Sequence, residues 1–124
     1  MTADRILARA IRIPGLQRLW TAFPVGSIPT RTRFDIWKRP HYAYGVYTAA
    51  DLAKRLKVPA ISVIEFGVAG GRGLVELESI AREVGAFFRV RISVVGFDGG
   101  EGMPAPIDYR DLPYVWSKVF TKWI

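Results

Sequence analysis

The spacing of hydrophobic positions changes several times between residues 44 and 97, and each change marks an element. From Tyr44 to Lys57 apolar residues recur at helical intervals, with Ala49, Leu52, Ala53 and Leu56 on one face. Thr48 and Asp51 have the separation of a capping box, and Pro59 closes the segment. Ala60–Phe66 is then an apolar, largely β-branched run, which reads as a buried strand. Leu74, Leu77, Ile80, Ala81 and Val84 form the stripe of a second helix, which Gly85 is expected to stop. Val90–Phe97 reads as a second strand. Strand, helix, strand in this order predicts one right-handed βαβ unit with its strands parallel.

The flanks are less regular. Ile6, Leu7, Ala10 and Ile11 fall on one side of a helix and Arg5, Arg9 and Arg12 on the other, with Pro14-Gly15 ending it. A basic amphipathic helix either docks its apolar side on the domain or makes a peripheral contact with an anionic membrane. Residues 21–41 hold Pro24, Gly26, Pro29 and Pro40 among basic and aromatic residues, and read as an extended lead-in without regular structure. Trp20, Phe23, Phe34 and Trp37 are expected to anchor it on the core. Their interleaving with Arg31, Arg33, Lys38 and Arg39 leaves a stacking surface for single-stranded nucleic acid as the competing reading. His41 is the only histidine, so no multi-histidine metal site can form, and no partner for a general base is identifiable. Met103 to Pro113 reads as a loop. Beyond it Val115, Val119 and Trp123, with Trp116 and Phe120, predict a short helix from Tyr114. The chain thus divides into a lead-in, 1–41, and a folded part, 42–124.

Composition narrows the class. The 124 residues suffice for one domain and not for two. Half are hydrophobic and 23% charged, which is globular rather than disordered. The absence of cysteine removes disulfides and thiolate metal sites, and a cytoplasmic location is expected. No run of about 18 apolar residues offers a membrane span, and arginines interrupt the first apolar residues where a signal peptide would need an unbroken core. The formal charge of +7 favours anionic partners in general. With no nucleic-acid motif beside it, a basic surface on an ordinary enzyme is the preferred reading and no nucleic-acid partner is expected.

Chemistry concentrates in Ala60–Gly73, where the strand ends in Glu65 and enters a glycine-rich turn. A strand delivered into such a turn gathers free backbone N–H groups and a helix N-terminus at one point, a place to hold a small polar ligand. A phosphate-binding P-loop needs two glycines five apart followed by Lys and Ser or Thr, and no register supplies it. The dinucleotide fingerprint fails too: from Gly67 its later glycines would be Ala69 and Arg72, and from Gly71 the last would be Glu76.

What remains is an acidic-x-Gly-x-Gly-x-Gly pattern met by Glu65, Gly67 and Gly71, with Ala69 replacing the middle glycine and Gly70 beside it. This resembles motif I of the class I S-adenosylmethionine-dependent methyltransferases. The stretch Gly96–Pro104 is similar to the Asp-x-Phe-x-Gly-Leu-Pro segment of their macrocin O-methyltransferase-like branch, with Gly100 in place of the phenylalanine. The resemblance covers residues 42–106. It implies a Rossmann-like βαβ portion of a doubly wound parallel sheet and S-adenosylmethionine as cofactor. Gly67, Ala69, Gly70 and Gly71 would line its methionine part, with Glu65 toward the ammonium group. Asp98 would accept from the ribose hydroxyls, and Gly99 and Gly100 would lie along the adenine. The acceptor would be a small molecule, such as a sugar or secondary-metabolite hydroxyl. Against this stand a glycine turn that only packs helix on strand with Asp98 as a turn residue, a fragment of a dinucleotide-dependent oxidoreductase, and a non-enzymatic basic module on an anionic surface.

Only two strands are identifiable, and the available helices cannot cover both faces of such a pair. The expectation is an N-terminal portion of a methyltransferase, truncated or frameshifted, or else a half-domain whose sheet a second chain completes. In related enzymes the catalytic base or metal ligands lie in the half not seen here, so no catalytic residue is assigned, no metal site is expected and the chain is read as incomplete as an enzyme.

Overall fold

A computed structural model describes residue 13, residues 15–100, residue 102 and residues 105–111. Within them the chain is mixed α/β, with four helices, two parallel strands and one 3₁₀ turn. In order these are α1 (Leu16–Ala22), α2 (Ile28–Arg33), α3 (Pro40–Arg55), β1 (Ala60–Phe66), α4 (Arg72–Phe88), β2 (Arg91–Phe97) and the turn Tyr109–Asp111. The segment carrying Arg5, Arg9 and Arg12 and the helix expected from Tyr114 lie outside the described residues. Among the described residues no helix is long and apolar enough to cross a membrane.

The strands pair in parallel from Ala60↔Arg91 to Phe66↔Phe97, so their carboxyl ends finish side by side. Alternation along each strand sends Ile61, Val63, Ile92 and Val94 toward the helices. There they meet Val46 and Ala50 of α3 and Leu77, Ile80 and Val84 of α4. Burying each of those three α4 side chains contributes about 1.5–3 kcal/mol. The stripe expected for α4 is the one observed, with Leu77, Ile80, Ala81 and Val84 buried.

Gly85 does not stop α4, which continues to Phe88. Arg89 closes it in the left-handed conformation, φ 58°, and Val90 N–H returns to the Gly85 carbonyl at 3.1 Å in a Schellman-type bond. Gly85 is needed for proximity instead: a Cβ there would lie 2.8 Å from the Val90 carbonyl oxygen.

Helix α3 starts at Pro40, four residues before the expected boundary, because proline at the first helical position is preorganised and its missing N–H is not needed. Its inward face also differs from the expected stripe. Ala43, Val46, Ala50 and Ala53 are buried, while Ala49, Leu52 and Leu56 are exposed. Small side chains admit close approach to α4, and their weak hydrophobicity hides that face in the sequence. Thr48 and Asp51 form no capping box; Thr48 donates to the Tyr44 carbonyl within the helix and Asp51 pairs with Arg55 at 3.0 Å.

Residues 21–41 are not wholly extended. Leucines and Trp20 build α1, and α2 follows from a cap: the Ser27 hydroxyl accepts from Thr30 N–H and Pro29 sits in the first turn. Of the four expected anchors Trp37 is buried, Trp20 and Phe34 are half-buried against each other, and Phe23 is exposed. Arg31 belongs to the interior rather than to a stacking surface. It is buried, lies 3.8 Å over the Trp37 ring and pairs with Glu83 of α4 at 2.5 Å.

Replacing Gly85 by Ala is expected to destabilise the protein by about 1–2 kcal/mol, because overpacking against backbone outweighs the improved helix propensity. Thermal unfolding followed by circular dichroism will show a lower midpoint; an unchanged or higher one would refute the close approach.

Candidate functional site

Because β1 and β2 are parallel and in register, Glu65 and Asp98 arrive at the same end of the sheet, on neighbouring strands. Between them lies the glycine turn. Gly67 N–H extends the ladder to the Phe97 carbonyl at 2.8 Å, and Gly71 N–H closes the turn on the Val68 carbonyl at 3.0 Å. Gly67 and Gly71 both have φ 78°, a region open to glycine at little cost. Ala69, the residue that departs from the resembled motif, also sits there at φ 51°. Gly70 is exposed at the tip.

The Asp98 carboxylate ties this turn to the end of β2. One oxygen accepts from Ala69 N–H and the other from Gly100 N–H, each at 2.7 Å. The Gly100 and Ala69 amides, in that order, hold its carboxyl below the ordinary aspartate range. Gly99 and Gly100 are exposed beside it, and a Cβ at either would meet nothing within 4 Å.

Glu65 is placed differently. Its side chain turns into the layer between β1, α3 and α4, half-buried, and one oxygen accepts from the Tyr42 hydroxyl of α3. Donation to Glu65, then burial, raises the Tyr42 pKa above its ordinary value. The other oxygen, Oε2, is buried without a hydrogen-bond partner. Gly73, in the first turn of α4, passes so close that a Cβ there would lie 2.5 Å from Oε1. A cavity of about 520 Å³ opens beside this pair, lined in part by His41, Tyr42, Ser62, Glu65 and Phe66.

A second hollow, about 640 Å³, borders the turn on its other side and is lined by Lys38, Arg39, His41, Gly70, Gly71, Arg72, Val75 and Glu76. Helix α4 begins here with no side-chain cap and no acidic residue in its first turn, so its positive end adds to three cationic side chains. Lys38 is paired with Glu76 at 2.9 Å, and Arg39 lies 5.3 Å over the Tyr42 ring.

The structure therefore brings together all eight residues singled out in the sequence, with Glu65 inward and Asp98, Gly99 and Gly100 outward. Sequence reading missed Tyr42 and the cations at the mouth. Pro40 was the available signal, since a helix starting there puts His41 and Tyr42 in its first turn. Comparison with known proteins gives no match: no family model fits the chain, and no curated protein or solved structure is similar to it.

Two outcomes test this geometry. Ala69→Gly relieves left-handed strain and is expected to stabilise by about 0.5–1 kcal/mol, raising the unfolding midpoint by about 2–4 °C; a fall would show that Ala69 is not in this conformation. Because Asp98 has a lowered pKa in the folded chain, the stability it adds is complete above its ordinary pKa of 3.8 and is lost as pH falls through the folded value. Amide-exchange protection of Ala69 and Gly100 is expected to drop below that pH ahead of the strand amides, and uniform loss would refute the assignment.

Proposed function

We propose that the chain is the cofactor-binding portion of a class I, Rossmann-like methyltransferase and that the glycine turn holds S-adenosylmethionine. The observation that carries this reading is the pairing of two unlike carboxylates across one glycine turn, at the carboxyl ends of adjacent parallel strands. The buried, unpartnered Oε2 of Glu65 suits a ligand ammonium. Each oxygen of Asp98 keeps a lone pair after binding its amide, and the two together suit adjacent ribose hydroxyls. Gly67, Ala69, Gly70 and Gly71 bring backbone close to the amino-acid part, and Gly99 and Gly100 leave room for a flat base. The cofactor's carboxylate would lie toward Lys38, Arg39 and Arg72.

Bound there, the cofactor supplies a sulfonium methyl for displacement by an acceptor oxygen or nitrogen. The residues described here bind and orient it, and such transfer depends mainly on holding the two reactants in line. A small-molecule acceptor, sugar or secondary-metabolite, is the expected partner, with the remaining strands or a second chain forming its pocket. The cytoplasm is the proposed location.

Calorimetric titration with S-adenosylhomocysteine tests this. Saturable binding is expected, weakened at least about tenfold, or 1.4 kcal/mol, by Asp98→Ala and by Gly99→Val. The second variant separates ligand from fold, because a Cβ at Gly99 meets no protein atom within 4 Å and thermal unfolding is expected to stay unchanged. A folded chain that takes up no S-adenosylhomocysteine would overturn a self-sufficient site.

A further inference from the structure

Helices α3 and α4 lie side by side on one face of the sheet, α3 over β1 and α4 mainly over β2. Helices packed about 8–10 Å apart are wider than strands about 4.8 Å apart, so the helical layer overhangs the sheet. On the side of β1 the overhang is open. The cavity of about 520 Å³ lies there, with Gly45 and Ala49 of α3 above it and Ser62, Ile64 and Phe66 along β1. Leu52, 48% exposed, and Leu56, 65% exposed, continue the Gly45–Ala49 line at helical spacing.

The backbone at this edge is open as well. Arg91 N–H donates to the Pro59 carbonyl and Gly67 N–H to the Phe97 carbonyl, so the odd-numbered residues of β1 turn toward β2. Ala60, Ser62, Ile64 and Phe66 therefore turn their N–H and C=O groups outward, and among the described residues the sheet ends there. Such a row of strand groups is a template for another strand.

The edge of β2 is unlike it. Leu74 approaches Gly96, and Gly85 approaches Val90 and Ile92, which puts that flank of α4 above β2. Between them on the same flank stand Glu78 and Arg82, both exposed, and Arg91 opens the strand. Charges of this kind keep an edge from pairing. The cavity at β1 is lined by no Lys or Arg, and its one carboxylate, Glu65, accepts from Tyr42.

A second copy fits this edge poorly. Pairing antiparallel across a two-fold axis, it would bring its own α3 onto the same face, into space that this one fills. A strand that brings no helix to this face fits. The opposite face, where Ile64, Phe66, Val95 and Phe97 are exposed, then stays free for the rest of the partner.

We propose that the free edge of β1 is a strand-addition site, which takes one extended, β-branched, uncharged segment of another polypeptide beneath α3. The assignment stands apart from the cofactor reading, since it uses the edge of β1 and not the glycine turn.

Hydrogen exchange of the full chain reads this edge directly. The Ser62, Ile64 and Phe66 amides are expected to exchange freely, while the Val63 and Glu65 amides are protected by the ladder. Protection of all five at every concentration would give the edge to a segment of this chain. Protection that grows with concentration would give it to a second copy, and either result overturns the proposal. The probe is a synthetic peptide the length of β1, alternating valine and threonine between terminal lysines, so that charge does not draw it to a chain of formal charge +7. At about 1 mM it is expected to slow the three outward amides at least about tenfold, and the same peptide with a central proline is not. No slowing, or slowing of the outward β2 amides of Ile92, Val94 and Gly96 instead, would overturn the proposal. Gly45→Lys fills the cleft without touching its own chain, because a Cβ there meets nothing within 4 Å. Its thermal midpoint is expected to hold while the effect of the peptide is lost; an effect retained would place the added strand elsewhere.

Discussion

Two parallel strands cannot be joined by a tight turn, and the crossover that joins them has to lie across both. Here that crossover is α4, and the other contacts depend on how closely it lies. Leu77, Ile80 and Val84 fill the space over Ile61, Val63, Ile92 and Val94. Gly85 lets its last turn rest on the Val90 carbonyl, and Gly73 lets its first turn pass Glu65. With both ends held, the strand register is fixed, so that two acidic strand ends meet across the turn from which α4 begins. The flank of α4 receives the small face of α3, and Glu83 on it receives Arg31. The N-terminal lead-in is thereby tied to the same helix that shapes the site.

What was legible in the sequence follows from which forces act locally. β1 and β2 declare themselves because a short β-branched run bounded by glycine or proline has few alternatives, and they appear within a residue of the expected limits. The stripe of α4 was equally plain, since large apolar side chains face one way. α3 was misread at its start and on its inward face. There alanines face the core and leucines face solvent, an inversion that arises only when another helix comes very close. The lead-in was misread for a related reason. Pro29 and Pro40 interrupt a helix when preceded by helical turns but begin one when they stand in its first turn.

The site divides along the same line. That Glu65 and Asp98 flank one glycine turn follows from strand order and needs no side-chain packing. That Glu65 points inward to Tyr42 depends on where α3 crosses β1, a relation between residues 23 apart in sequence that no local pattern encodes. The bare sheet face was foreseeable by counting helices, and the structure identifies its members as Ile64, Phe66, Val95 and Phe97.

The two carboxylates differ in a way that bears on recognition. Asp98 is exposed and held ionised by amide donors of the turn itself, so it braces the loop before any ligand arrives. A hydroxyl that binds its remaining lone pairs adds to those bonds rather than replacing them, and the turn has little left to order. Glu65 is occluded, and only one of its oxygens has a donor. The unmet demand of the other is for hydrogen-bond donors, most strongly for a cation. In the proposed complex the cofactor's ammonium meets Glu65 and its ribose hydroxyls meet Asp98, one group for each carboxylate. An anionic group suits neither carboxylate, and its attraction lies instead in the hollow on the other side of the turn, where the uncapped start of α4 adds to Lys38, Arg39 and Arg72.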